Sequence, residues 1–200
     1  MRNYDRMVER YETGAVPWDV AEPPPEVMAL ADELKPGRAL DLGCGYGRTA
    51  IYLAQKGWQV DSVDFVPQAV AEAGARAKRA GVADRIKFHQ ASVAELDFLA
   101  GAYQLAVDVG CMHALDEAEL RRYAAGLRRL LAAGGQYLLF ARLHAELAEP
   151  DSGPRGVPDV LIQALFVDGF VLTKMESGET KVEDQPVWTS AWYWFRRTPD

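Results

Sequence analysis

From about residue 26 the chain alternates two hydrophobic patterns. Short apolar runs of strand length are separated by stretches whose apolar residues recur at helical spacing. Glu26 to Lys35 reads as a short helix closed by Pro36-Gly37, and Arg38 to Leu42 as a strand. Arg48 to Lys56 carries Ala50, Ile51, Leu53 and Ala54 at helical spacing and stops at Gly57; Trp58 to Val63 is then a strand. Pro67 to Ala80 is an alanine-rich helix, with proline in its first turn and Gly81 as its stop. Ile86 to His89 and Tyr103 to Val109 are strands, the second a continuous apolar run. Asp116 to Leu131 is a helix with Asp116 as its N-cap and Gly134-Gly135 beyond its end, and Gln136 to Leu143 is the next strand. Glu149 to Pro158 is a loop, Asp159 to Asp168 a helix, and Phe170 to Ser177 and Val187 to Arg196 an antiparallel strand pair at the sheet edge. Alternating helix and strand predict an α/β fold: a doubly wound, mostly parallel sheet with helices on both faces.

Residues 1–25 break this rhythm. They are polar, with Tyr4, Tyr11 and Trp18 followed by Pro23-Pro24-Pro25, and the prolines exclude a continuous helix. Large aromatics need something to pack against. The segment is a floppy tail or a lid, and the aromatics favour a lid on a domain spanning 26–200.

The chemistry concentrates at Ala39-Leu40-Asp41-Leu42-Gly43-Cys44-Gly45-Tyr46-Gly47. This is a strand end, a glycine turn and a helix start, the construction of a nucleotide-type cofactor site. The glycines run G-x-G-x-G, which is not the dinucleotide spacing. Asp41 just before them would repel a pyrophosphate and attract a cationic amino or sulfonium group. The bare backbone at Gly43 and Gly45 permits close approach, and Cys44 packs in the turn. Asp64, at the end of the next strand, is placed to accept from both ribose hydroxyls, and Phe65 beside it to cover an adenine face.

Composition narrows the class. A chain of 200 residues with 49% hydrophobic and 26% charged residues is ordinary for one globular domain. The net charge of −7 argues against broad nucleic-acid binding. No apolar run approaches the roughly 20 residues of a membrane helix, and the N-terminus lacks a signal-peptide core, so the expected location is cytoplasmic. Cys44 and Cys111 make no disulfide framework, and with His113 they lack ligand spacing, so no metal is expected. Trp188, Trp192, Tyr193 and Trp194 crowd the last strand. Alternation sends Trp192 and Trp194 to one face and Tyr193 to the other.

The motif from Asp41 to Gly47, Asp64, the strand end at Asp108 and the closing strand pair together resemble class I S-adenosylmethionine-dependent methyltransferases over almost the whole chain. Pro17-Trp18-Asp19 with Glu22-Pro23-Pro24-Pro25 looks like their small-molecule members, of thiopurine, thiol or halide, and tellurite-resistance type. The resemblance implies a Rossmann-like seven-stranded sheet of order 3-2-1-4-5-7-6 with strand 7 antiparallel. It implies S-adenosylmethionine as cofactor, with S-adenosylhomocysteine as product, and a small-molecule acceptor. Asp41 would meet the methionine amino group, the Gly43 to Gly47 backbone would cradle that moiety, and Asp64 would hold the ribose. Many such enzymes place an Asp on the adenine amino group where this chain has Ser92, leaving the Ser92 hydroxyl or the Val93 backbone. The Asp108 strand end would lie under the methyl group, and Tyr11 and Trp18 would line the site. His113 is the candidate general base, and Arg142, His144 and Arg155 are plausible acceptor-pocket groups. Alternatives are a methyltransferase acting on a macromolecule, a non-catalytic S-adenosylmethionine-binding protein, and a nicotinamide-dependent oxidoreductase, which the glycine spacing disfavours.

Overall fold

The computed structural model describes residues 3–145, 156–181 and 186–199, with side chains from residue 5 onward. The strands are β1 Arg38–Leu42, β2 Gln59–Asp64, β3 Ile86–Gln90, β4 Tyr103–Val109, β5 Leu131–Arg142, β6 Phe170–Thr180 and β7 Trp188–Arg197. They form one sheet of order β3-β2-β1-β4-β5-β7-β6. Strands β1 to β5 pair in parallel, and β7 runs antiparallel to both β5 and β6. This is the order expected from the resemblance. The chain reverses direction across the sheet between β1 and β4, which opens a crevice at their carboxyl ends.

The helices are α1 Asn3–Thr13, α2 Pro25–Glu33, α3 Arg48–Gln55, α4 Pro67–Arg79, α5 Glu117–Leu130 and α6 Asp159–Phe166. Alternation along the strands divides the core in two. Leu40 and Leu42 of β1 pack with Leu120, Tyr123 and Leu127 of α5 and with Ile162 and Phe166 of α6. Ala39 faces the other way, with Val27 and Leu30 of α2 and Ala50 and Leu53 of α3. Helix α5 starts where Asp116 predicts. The Asp116 carboxylate accepts from the Glu119 backbone N–H at 2.8 Å, and the Glu119 carboxylate accepts from the Asp116 N–H at 2.8 Å.

Three elements depart from the sequence reading. Helix α1 occupies part of the segment read only as unable to form one continuous helix. Its Met7, Val8 and Tyr11 share an apolar stripe, and it ends before Gly14, well ahead of the first proline, so the prolines limit it rather than prevent it. Strand β5 begins at Leu131, opposite Tyr103, and an irregular stretch before Gln136 absorbs Gly134-Gly135. Strand β6 runs on to Thr180 because β7 offers it a partner as far as Trp188. Most of the expected loop Glu149 to Pro158, including Arg155, lies outside the described residues, as does the Tyr4 side chain. No described helix is long and apolar enough to cross a membrane.

Candidate active site

Register decides which side chains reach the crevice. Residues paired across parallel strands share a face. Asp41 pairs with Ser62 and with Val107, and β2 carries Asp64 on the same face as Ser62. Val109 shares that face with Val107. Asp41, Ser62, Asp64 and Val109 therefore converge on one side at the carboxyl ends of the strands.

The glycine turn is clamped to β2. The N–H groups of Gly43 and Cys44 both donate to the Val63 carbonyl, at 2.8 and 3.1 Å. Gly43 has φ +69°, and a Cβ built on it would stand 2.4 Å from the Cys111 Cβ, so the turn after β4 rests directly on this glycine. Above Gly45 sits the Tyr11 hydroxyl, 3.0 Å from where a Cβ would lie.

A pocket opens on the turn, lined among others by Trp18, Asp41, Gly43, Tyr46, Arg48 and Val109. Asp41 is only 3% exposed. Burial pushes its carboxyl up to about 7, opposed in part by the Ser62 hydroxyl, 3.3 Å away, and by the charge of Arg48. Burial lowers the Arg48 guanidinium, while Asp41 and Asp19 support its charge. The pocket thus offers one anion and one cation side by side. An amino acid's ammonium and carboxylate match that pair, so the residues present fit the methionine end of S-adenosylmethionine. Arg48 was not among the expected site residues. Its position at the start of α3, where free N–H groups also face the site, was the available signal.

Asp64 accepts from the backbone N–H groups of Gly45 and Val66, each at 2.9 Å. Burial raises its carboxyl against these bonds. A carboxylate has about four acceptor positions, so two donors leave room for ribose hydroxyls. Phe65 packs beside it in a cluster with Tyr11, Val66 and Ala69. Cys44 is buried, its thiol pointing to the Gly45 carbonyl at 3.6 Å, and burial holds that thiol neutral. The Ser92 hydroxyl accepts from the Ala94 N–H at 3.2 Å. The Val93 side chain belongs to the α5-side core, which leaves its backbone for a ligand.

The N-terminal segment covers the pocket. Trp18 Nε1 donates to the Tyr11 hydroxyl at 3.2 Å, and Tyr11 meets Tyr46 edge-on at 5.1 Å. Beyond Trp18, Asp19 forms a two-pronged ion pair with Arg76 of α4, at 2.7 and 2.8 Å.

Two expected roles are corrected by the geometry. Asp108 neighbours Val109 and so points to the opposite face. It is fully buried, accepts from the Cys111 and Met112 N–H groups at 2.7 and 3.0 Å and from the Tyr123 hydroxyl at 2.7 Å. It shapes the turn after β4, and its carboxylate lies on the face opposite Asp41. His113 is not placed as a base. Its Nδ1 accepts from the Arg142 backbone N–H at 3.1 Å, and burial with the nearby Arg142 charge lowers it to about 4. Among the described residues no group of side chains is arranged to hold a metal ion.

A doubly wound sheet, a glycine turn at its switch point and an acid on each of the first two strand ends define a nucleotide-cofactor protein of α/β class. Residues 39–135 match the methyltransferase domain family. A 2-heptyl-1-hydroxyquinolin-4(1H)-one methyltransferase of Mycobacteroides abscessus is 29% identical over 145 residues, which is 72% of this chain and 63% of that protein. The chain thus spans under two thirds of that relative's length. The 1,6-didemethyltoxoflavin-N1-methyltransferase of Burkholderia thailandensis, solved with its acceptor and S-adenosylhomocysteine, superposes with a TM-score of 0.76 at 23% identity, covering 98% of this chain and 87% of that one. The N-methyltransferase NodS of Bradyrhizobium japonicum, solved with S-adenosylhomocysteine, gives 0.78 at 17% identity, covering 97% and 98%.

Proposed function

We propose that this protein transfers the methyl group of S-adenosylmethionine to a small-molecule acceptor. The observation that carries the reading is the Asp41–Arg48 pair at the glycine turn, a match for a zwitterionic amino-acid end beside a nucleoside subsite at Asp64. Two of the three proteins named above carry heterocyclic acceptors in their names, which favours a small acceptor over a macromolecule.

The bound cofactor supplies an already activated methyl group. The chain's work is therefore positioning, which can supply several kcal/mol of a barrier. In this reading Asp41 holds the ammonium, Arg48 the carboxylate, the Gly43 and Gly45 backbone allows close approach, and Asp64 takes the ribose. Residues 1–25 act as a lid. Tyr11 and Trp18 close over the turn and keep water from the donor, and the Asp19–Arg76 pair holds them down.

Calorimetry with S-adenosylmethionine and S-adenosylhomocysteine tests the reading. Micromolar binding is expected, weakened about tenfold or more in Asp64→Ala by loss of its hydrogen bonds. Folded protein that binds neither ligand refutes it.

A further inference from the structure

The wall of the crevice beyond the cofactor turn belongs to β4, β5 and β7. Val109, which lines the pocket, pairs with Phe140, and Phe140 pairs with Trp192. All three share the Asp41 face. The rings of Phe140 and Trp192 lie 5.0 Å apart, and both are half-buried, as is Trp188. This is an aromatic shelf of two rings tilted by 48°, running sideways from the pocket.

Arg142 ends β5 on the same face. Its guanidinium lies 4.6 Å from the centre of the Trp188 ring. Its Nε and the Trp188 Nε1 are both buried, and neither has a hydrogen-bond partner. Two buried donors left open cost free energy unless something accepts from them. Burial lowers the Arg142 guanidinium with no carboxylate contributing against it. Asp108, the acid at the end of the neighbouring β4, has its oxygens committed on the opposite face. His113, bonded to the Arg142 backbone through Nδ1, keeps its proton on Nε2 and so adds a donor. Among the described residues this end of the crevice offers N–H groups, a positive charge and ring faces; no carboxylate pairs with Arg142, and the Thr180 and Ser190 hydroxyls are bonded to each other at 2.7 Å.

Resting on the methyltransferase reading, we propose that the acceptor is a planar, aromatic anion. Its ring lies on the Phe140–Trp192 shelf, and its ionised oxygen or sulfur is drawn by Arg142 and Trp188 Nε1. A protonated amine would meet a like charge here and find nothing to accept its proton. An anion brings the reaction into balance without a base. A lone pair on the ionised oxygen or sulfur forms the bond to the methyl carbon, and the carbon–sulfur bond breaks with its pair going to sulfur. The negative acceptor and the positive donor both become neutral, and no proton is left to remove. The missing base at His113 and the open Nε of Arg142 then have one explanation.

The test compares thiophenol with aniline as acceptors, read by S-adenosylhomocysteine formation, in wild type, Arg142→Met and Trp188→Phe. Thiophenolate is the more reactive nucleophile anywhere, so the variants carry the decision. Arg142→Met keeps the stem, and Trp188→Phe keeps a ring while removing the N–H. Each is expected to lower kcat/KM for thiophenol about tenfold, the size of a lost charge-assisted or buried hydrogen bond, chiefly through KM. Aniline turnover and the Kd for S-adenosylmethionine should move less than about twofold. Equal losses for both acceptors, or unchanged thiophenol kinetics, overturn the anionic subsite while leaving the methyltransferase reading intact. Failure of wild type to bind S-adenosylmethionine overturns that reading and this inference with it.

Discussion

At the scale of single residues, parity along a strand separates function from structure. Asp41 and Asp64 were legible as candidates that the fold brings to one crevice, because a strand end before a glycine turn, and the next strand end after it, are positions that sequence spacing reveals. Asp108 lies at an equivalent strand end, yet it serves the fold. Which face of β4 meets the crevice depends on its pairing with β1, and sequence spacing does not state that pairing. Arg48 was missed because a cation beside a site for a cationic ligand looks misplaced until the ligand's carboxylate is considered. Asp41 carries a pH prediction. Its raised pKa of about 7 means that the ligand-free protein holds a proton there below that pH. The free protein therefore gains stability as pH falls through 7 toward the ordinary carboxylate range. A bound ammonium favours the ionised form, so binding must expel the proton. Affinity for S-adenosylmethionine is expected to fall below about pH 7, approaching tenfold per pH unit. Calorimetry in two buffers of different ionisation enthalpy reads that proton directly, and Asp41→Asn should abolish the dependence. A flat profile would mean that Asp41 meets no cation. A second residue-scale prediction concerns Gly43→Ala. A Cβ there collides with Cys111 at 2.4 Å and with an unfavourable φ of +69°. The cost should be about 1–3 kcal/mol in denaturant unfolding, whereas Gly178→Ala, with open space around it, should cost almost nothing by comparison.

At the scale of elements, the unforeseen helix α1 gives the proposed lid its shape. Its stripe of Met7, Val8 and Tyr11 is short and set among charges, and the prolines after it drew the reading toward irregular chain. The C-terminal signal was present in Gly14, which adopts φ +72°. Helix α1 alone is too short to be stable in water, so its order depends on docking at Tyr46 and Val66. The Asp19–Arg76 pair is the tether between lid and α4. It is partly exposed, at 26% and 31% for the two side chains, so its geometry matters more than its charge. Arg76→Ala is expected to weaken S-adenosylmethionine binding by only about threefold, through faster release, and raised salt should erase much of the difference. Stopped-flow release of the cofactor measures this. An unchanged release rate would remove the pair from the closing mechanism.

At the scale of the whole molecule, both faces of the sheet carry core, and the proposed site and a buried polar pin lie on opposite ones. The antiparallel edge was legible as a terminal strand pair joined by a polar turn, and the strand order only through the resemblance to methyltransferases. The polar pin inside the fold was not legible, because its members are far apart in sequence. Asp61 lies on the same strand as Asp64 but on the opposite face. It accepts from Tyr103 at 2.8 Å, from Arg38 at 3.2 Å and pairs with His89 at 2.8 Å. Burial pushes its carboxyl up, but the bonds from His89, Tyr103 and Arg38 outweigh it and hold the group below the ordinary range. A lowered folded pKa contributes stability that is present above the unfolded value near 3.8 and lost as pH falls through the folded one. Asp61→Asn keeps the shape and removes the charge, leaving Arg38 and His89 without their anion. Unfolding free energy at neutral pH is expected to drop about 1–3 kcal/mol, and the melting temperature by about 2–4 °C for each of these. The acid side of the stability profile should flatten. Binding of S-adenosylmethionine to the folded variant should stay within about twofold, because the pin and the crevice share a strand but not a face. A variant that folds as well as wild type yet binds poorly would show that β2 transmits strain between its two faces, and the division of labour across the sheet would fail.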